Sequence, residues 1–85
     1  MACLRPSVSP LLVPSSAKYR RILGENIRAS RKQAGLSQEK LAEKAELNSA
    51  YVSDVERGKE NISVDALMRI ANALGATLND LTRGI

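Results

Sequence analysis

Gln38-Glu39-Lys40-Leu41-Ala42-Glu43-Lys44-Ala45, followed by Glu46-Leu47-Asn48 and then by Ser49-Ala50-Tyr51-Val52-Ser53-Asp54-Val55-Glu56-Arg57, is the stretch whose reading decides the fold. Ser37 precedes the first run and Asn48 the second. Both residue types accept hydrogen bonds from the amides that the first turn of a helix leaves without a partner. Leu41 and Ala45 recur at the spacing of one helical face, and so do Val52 and Val55. The stretch therefore reads as a short helix over 38–45, a three-residue link, and a second short helix over 49–57. Ala42 is small where the two helices must approach closely, while Leu41, Val52 and Val55 face inward to fix their crossing angle.

Working outward, glycines and capping residues divide the rest of the chain in the same way. Gly35, Gly58, Gly75 and Gly84 each follow a candidate helix, where a left-handed residue commonly ends the spiral. Ser63 precedes Val64-Asp65, and Thr77 precedes Leu78, with Asp80 completing a capping box. Five helices are expected, at about 19–34, 38–45, 49–57, 64–74 and 78–83. Val64, Leu67, Met68, Ile70, Ala71 and Leu74 read as one helical face, and Leu23 and Ile27 serve the first helix. With Leu36, Leu47, Ile62, Leu78 and Leu81 these residues are expected to form a single core. No stretch alternates with a two-residue period, so the fold class is all-α. Residues 1–17 hold all the prolines, Pro6, Pro10 and Pro14, interspersed with serines, and read as an irregular arm ahead of a domain over 18–85. Three readings of the arm stand open: a disordered tail, a segment crossing to a partner subunit, or the product of a start codon upstream of the functional one.

Composition narrows the function classes. With 85 residues the chain has one domain's worth of core, near the lower limit for folding without staples. The core must come from Leu, Ile, Val and Ala, because the only aromatic residues are Tyr19 and Tyr51. A lone Cys3 cannot form an internal disulfide, and without any histidine the usual zinc ligand sets are absent. No cofactor or small-molecule ligand is indicated, and a reducing, cytoplasmic setting is expected. No apolar run approaches the roughly 20 residues that span a bilayer, so no membrane partner is expected. The net charge is +4. Lys18, Arg20, Arg21, Arg28, Arg31 and Lys32 lie in one stretch whose single acid is Glu25, which favours a polyanionic partner, although a charge run alone also fits a solvated helix face. The constellations for acid-base, nucleophilic or metal chemistry are missing, and an enzyme is not expected.

The run Gly35-Leu36-Ser37-Gln38-Glu39-Lys40-Leu41-Ala42 resembles the helix-turn-helix family of the lambda-type and 434-type phage repressors, the XRE type. So does Val52-Ser53-Asp54-Val55-Glu56-Arg57-Gly58-Lys59, followed by Asn61-Ile62-Ser63 and then by Leu67, Ile70-Ala71 and Ala73-Leu74. The resemblance covers Leu23 to Leu81 and implies a five-helix DNA-binding domain. Within the family, Tyr51-Val52-Ser53 and Glu56-Arg57-Gly58 look like the controller proteins of restriction-modification systems. The function implied is sequence-specific transcriptional regulation by a homodimer on a (pseudo)palindromic operator in double-stranded DNA. RNA polymerase is a further candidate partner, through the acids Glu39 and Glu43.

Position by position, the resemblance implies phosphate contacts at Gln38, Asn48, Arg57 and Lys59, with Lys40 as a further candidate. Ser49, Ala50 and Asp54 match the base-reading positions, with Tyr51 and Ser53 as neighbours; Tyr51 equally suits packing at the edge of the core. Ser49 and Ala50 are too short for two-pronged base contacts, which shifts discrimination toward methyl contacts and DNA shape. Arg31 and Glu56 match a structural ion pair between the first and third helices. Leu78, Leu81 and Ile85 are the candidate dimer interface, with intrachain packing as the alternative for the two leucines. Three departures from the family pattern stand out. Glu46 replaces a turn glycine, Glu60 replaces a basic residue that controller-type relatives often aim at the minor groove, and Asp54 puts an acid on the DNA-facing surface. The rival function class is an antitoxin or anti-activator whose helix-turn-helix domain mainly holds a protein partner, with the arm as the only extension to serve it.

Overall fold

In the computed structural model, residues 16–85 are described, with side-chain surroundings from residue 18 on, and they form five helices: α1 (Ser16–Gln33), α2 (Gln38–Ala45), α3 (Ser49–Glu56), α4 (Val64–Leu74) and α5 (Leu78–Leu81). No strand occurs among the described residues. The arm expected over 1–17 lies outside the described residues, except that α1 takes in its last two positions. Pro14 is the final residue lacking an amide hydrogen, and nothing after it bars a helix.

Each of the four short helices starts on the capping residue its sequence offers. The side chains of Ser37, Asn48, Ser63 and Thr77 accept from the amides of Lys40, Ala50, Ala66 and Asp80. At α5 the Asp80 carboxylate accepts in return from the Thr77 amide at 3.1 Å, completing the box. That backbone hydrogen bond, seconded by the Thr77 hydroxyl, holds the Asp80 carboxyl below its ordinary value of 3.8. Gly75 closes α4 at φ 67°, a left-handed conformation that costs glycine nothing.

The core gathers Leu23 and Ile27 of α1, Leu41, Ala42 and Ala45 of α2, Val52 and Val55 of α3, Leu67, Ile70 and Ala71 of α4, and Leu81 of α5. Helix α2 packs on α3 and α4, and α1 lies across α3 and α5. Two residues assigned to the core from their spacing are not in it. Val64 is 70% exposed and Met68 40%. Successive helical residues are rotated by about 100°, and the buried stripe of α4 runs through Ala66, Leu67, Ile70 and Ala71, which carries Val64 and Met68 onto its flank.

The last helix also differs from expectation. It ends at Leu81 rather than 83, and Leu81 is fully buried within its own chain. The Asn26 amide explains why: its Nδ2 donates to the carbonyls of Leu81 (2.9 Å) and Arg83 (2.8 Å), fastening the end of α5 onto α1. Leu81 therefore offers no surface to a second subunit, and its placement in the dimer interface is corrected to intrachain core.

Candidate nucleic-acid interface

The turn between α2 and α3 sets the direction in which α3 leaves. Glu46 adopts φ 59° and ψ 45°, and is the one non-glycine residue with positive φ among the described residues. Its amide donates to the Glu43 carbonyl (3.2 Å) and that of Leu47 to the Ala42 carbonyl (2.8 Å), so the left-handed residue satisfies the carbonyls that α2 leaves open. A side chain in this region costs about 1 kcal/mol. Glu46→Gly is expected to raise stability by about 0.5 kcal/mol or more after the added freedom of the unfolded chain is subtracted. A thermal midpoint a few degrees higher, with DNA affinity unchanged, is the result to look for; a lower midpoint would show that Glu46 sits there without strain.

At its other end α3 is held by charge. The Arg31 Nε atom donates to Glu56 Oε2 at 2.6 Å and Nη2 to Oε1 at 3.1 Å, with both side chains buried. Arg31 Nη1 also donates to the Leu36 carbonyl at 2.8 Å, tying the loop before α2 into the same cluster. Gln38 Nε2 donates to Glu56 Oε1 at 3.0 Å. Thus both carboxylate oxygens are satisfied, and α1, α2, α3 and the α1–α2 loop meet at one group. Sequence reading named Arg31 with Glu56 but missed Gln38 as their third member; an amide-bearing residue at the first position of a helix carries no local sign of such a distant partner.

A second missed residue is Gly24, in the middle of α1. A Cβ at this position would stand 2.4 Å from the Val55 carbonyl oxygen and 2.6 Å from that of Glu56. Only a hydrogen at this place lets the end of α3 lie directly on α1. A glycine in a helix interior costs about 1 kcal/mol against alanine, and that local penalty was the available signal of a packing reason.

The outward face of α3 carries Ser49 and Ala50 exposed, with Ser53 and Asp54 half-buried beside them. Asn48 spends its Oδ1 on the Ala50 amide at 2.7 Å, leaving its side-chain nitrogen free to donate. Arg57 and Lys59, just past the end of α3, are exposed. Lys40 is exposed too, and reaches Glu43 at 3.3 Å in a solvent-facing pair of the kind that contributes little. Tyr51 is half-buried and packs against the core, as the core-edge alternative has it. Leu78 is half-buried and Ile85, the last residue of the sequence, is 60% exposed. Glu60 is half-buried in the α3–α4 loop.

This arrangement presents a short, firmly anchored helix whose outer face bears small and polar groups between cations. Comparison with known proteins gives a matching picture. The model of the Helix-turn-helix family, HTH_3, matches residues 27–81. The chain is 41% identical over 63 residues to the control protein C.BamHI of Bacillus amyloliquefaciens, covering 73% of this chain and 78% of that protein. It is 45% identical over 53 residues to the immunity repressor protein of Bacillus phage phi105, covering 62% of this chain and 37% of the repressor. Among solved structures, the restriction-modification controller protein C.AhdI of Aeromonas hydrophila superposes with a TM-score of 0.72 at 37% identity, over 73% of this chain and 94% of that one.

Proposed function

This chain belongs to the Helix-turn-helix family, and from that premise we propose that it is a sequence-specific, double-stranded-DNA-binding transcriptional regulator of the controller type. The observation that carries the reading is the pairing of an anchored α3 with an open outer face. The ion pair, the Asn48 cap and the Gly24 contact fix where the helix lies, while Ser49 and Ala50 stand free in solvent. A recognition helix needs both, since base contacts are specific only when the helix is held in register. Similarity to control proteins of restriction-modification systems supports autoregulation of such a system.

One eight-residue helix reads only a few base pairs, so the regulator acts as a homodimer with its two α3 helices about 34 Å apart along one face of the duplex. With Leu81 withdrawn into the core, Leu78 and Ile85 remain as the apolar interface residues. Ser49, Ala50 and Asp54 read bases, with Ser53 beside them, and Asn48, Arg57, Lys59 and Lys40 meet phosphates. Where the dimer activates, Glu39 and Glu43 on the exposed side of α2 are the acids that face RNA polymerase.

Selection of binding sites from a random duplex pool at fixed salt tests this directly, and a palindromic site is the expected outcome. On the selected duplex, Arg57→Ala and Lys59→Ala are expected to weaken specific and scrambled DNA alike, each flattening the salt dependence by about one phosphate's worth. Changes at Ser49, Ala50 or Asp54 are expected to shift base preference instead. Equal losses on both duplexes from the second group would refute their role as readers. Gln38→Ala is a poor probe of phosphate contact by itself, because it also removes a hydrogen bond to Glu56; its stability must be measured beside its affinity.

A further inference from the structure

Arg28 is exposed on α1, one turn before Arg31, yet the two arginines stand in opposite situations. The Arg31 guanidinium is consumed by Glu56 and the Leu36 carbonyl. That of Arg28 has no hydrogen-bond or ion-pair partner among the described residues. It lines a cleft whose other walls include Ser37 and Glu39 of the α2 start and Ser49, Ala50 and Ser53 of α3. The short side chains on α3 keep this cleft open. It borders the face that enters the groove, on the side where the first helix of such a pair crosses the sugar-phosphate backbone. Glu39 is the cleft's one acid and would repel a phosphate there; Arg31 lines the cleft too, but its charge is already matched by Glu56, which leaves Arg28 as the unpaired cation of the lining.

We propose that Arg28 is a further DNA-contacting residue, a phosphate clamp supplied by α1 from outside the helix-turn-helix; this rests on the DNA-binding reading above. Arg28 offsets Glu39 and grips the strand that flanks the bases met by Ser49 and Ala50, which cannot hold the duplex by two-pronged contacts of their own.

The test uses the full chain as wild type, Arg28→Ala and Arg28→Lys, titrated over a salt series onto a duplex recovered from the random pool and onto a scrambled duplex of equal length. Arg28→Ala is expected to lose roughly tenfold in affinity on both duplexes. Its log-log salt slope should be shallower by about 0.9, with the lysine variant restoring that slope and an unchanged thermal midpoint throughout. A wild-type protein that binds while Arg28→Ala matches it in affinity and slope overturns the clamp alone. An altered base preference with an unchanged slope overturns it too, by making Arg28 a reader. A wild-type protein that binds neither duplex overturns the DNA-binding reading and the clamp with it.

Discussion

Glu56→Ala is expected to cost about 3–5 kcal/mol, because it leaves the Arg31 guanidinium buried without a counter-charge. Against the 5–15 kcal/mol that typically holds a small domain together, such a loss brings the chain close to unfolding. The thermal midpoint should drop by at least about 12 °C at the usual sensitivity of domains this size. The reverse variant, Arg31→Ala, is expected to fall as far for the mirrored reason, since the Glu56 carboxylate would keep only Gln38 as a donor. Lysine at position 31 keeps the charge but not the fork that serves two carboxylate oxygens and a carbonyl, so it should recover only part of the loss. The informative control is the double replacement Arg31→Met with Glu56→Leu. Removing both charges together spares the cost of an orphan, and this variant should be far more stable than either single alanine variant. Thermal denaturation of the wild type and these four variants settles the matter: a Glu56→Ala midpoint within a degree or two of wild type would mean that the pair is solvated and structurally idle.

Gly24→Ala is the second large effect, and its sign opposes intuition. Judged by helix propensity, alanine in the interior of α1 should stabilise by about 1 kcal/mol. Judged by packing, the new methyl group meets two backbone carbonyl oxygens at 2.4 and 2.6 Å, and neither belongs to a side chain able to swing aside. The end of α3 has to retreat from α1 as a unit. Overpacking of this kind typically costs 1–3 kcal/mol and occasionally more. The retreat also pulls Glu56, whose own carbonyl is one of the two atoms, away from Arg31. A net loss of about 2 kcal/mol is therefore expected, accompanied by weakened DNA binding because α3 is displaced. Since both replacements act on one seam, the double variant Gly24→Ala with Glu56→Ala should lose less than the sum of its parts. A more stable Gly24→Ala protein, measured by the same denaturation curves, would show that α1 and α3 do not touch as closely as described.

Consequences for function follow from that seam. Helix α3 is short, and short helices are marginal unless their neighbours hold them. Its hold consists of Val52 and Val55 in the core, the Asn48 cap at one end, and the contacts of Gly24 and Arg31 at the other. The charges proposed to meet DNA lie outside this set. Arg57, Lys59 and Arg28 are exposed, so replacing them is expected to change affinity with little change in stability. Gln38 belongs to both sets, through its bond to Glu56 and its place at the start of α2.

By itself the sequence determined every feature whose cause lies within a few residues along the chain. Ser37, Asn48, Ser63 and Thr77 start their helices and Gly75 ends one, because capping and backbone sterics act over one turn. The three- and four-residue recurrence of Leu41 with Ala45, and of Val52 with Val55, likewise marked the buried faces of α2 and α3. Only the tertiary structure decided what depends on how far apart two helices come to rest. Gly24 faces the carbonyls of α3 from 31 positions away in the chain, counting to Val55, and Gln38 finds Glu56 at a separation of 18. Leu81 turns into the core under the grip of Asn26, and Val64 and Met68 turn out of it. Periodicity states which residues share a side of a helix, but the width of the covered stripe and the closeness of the contact are set by the neighbour that packs there, and that neighbour is known only once the chain has folded.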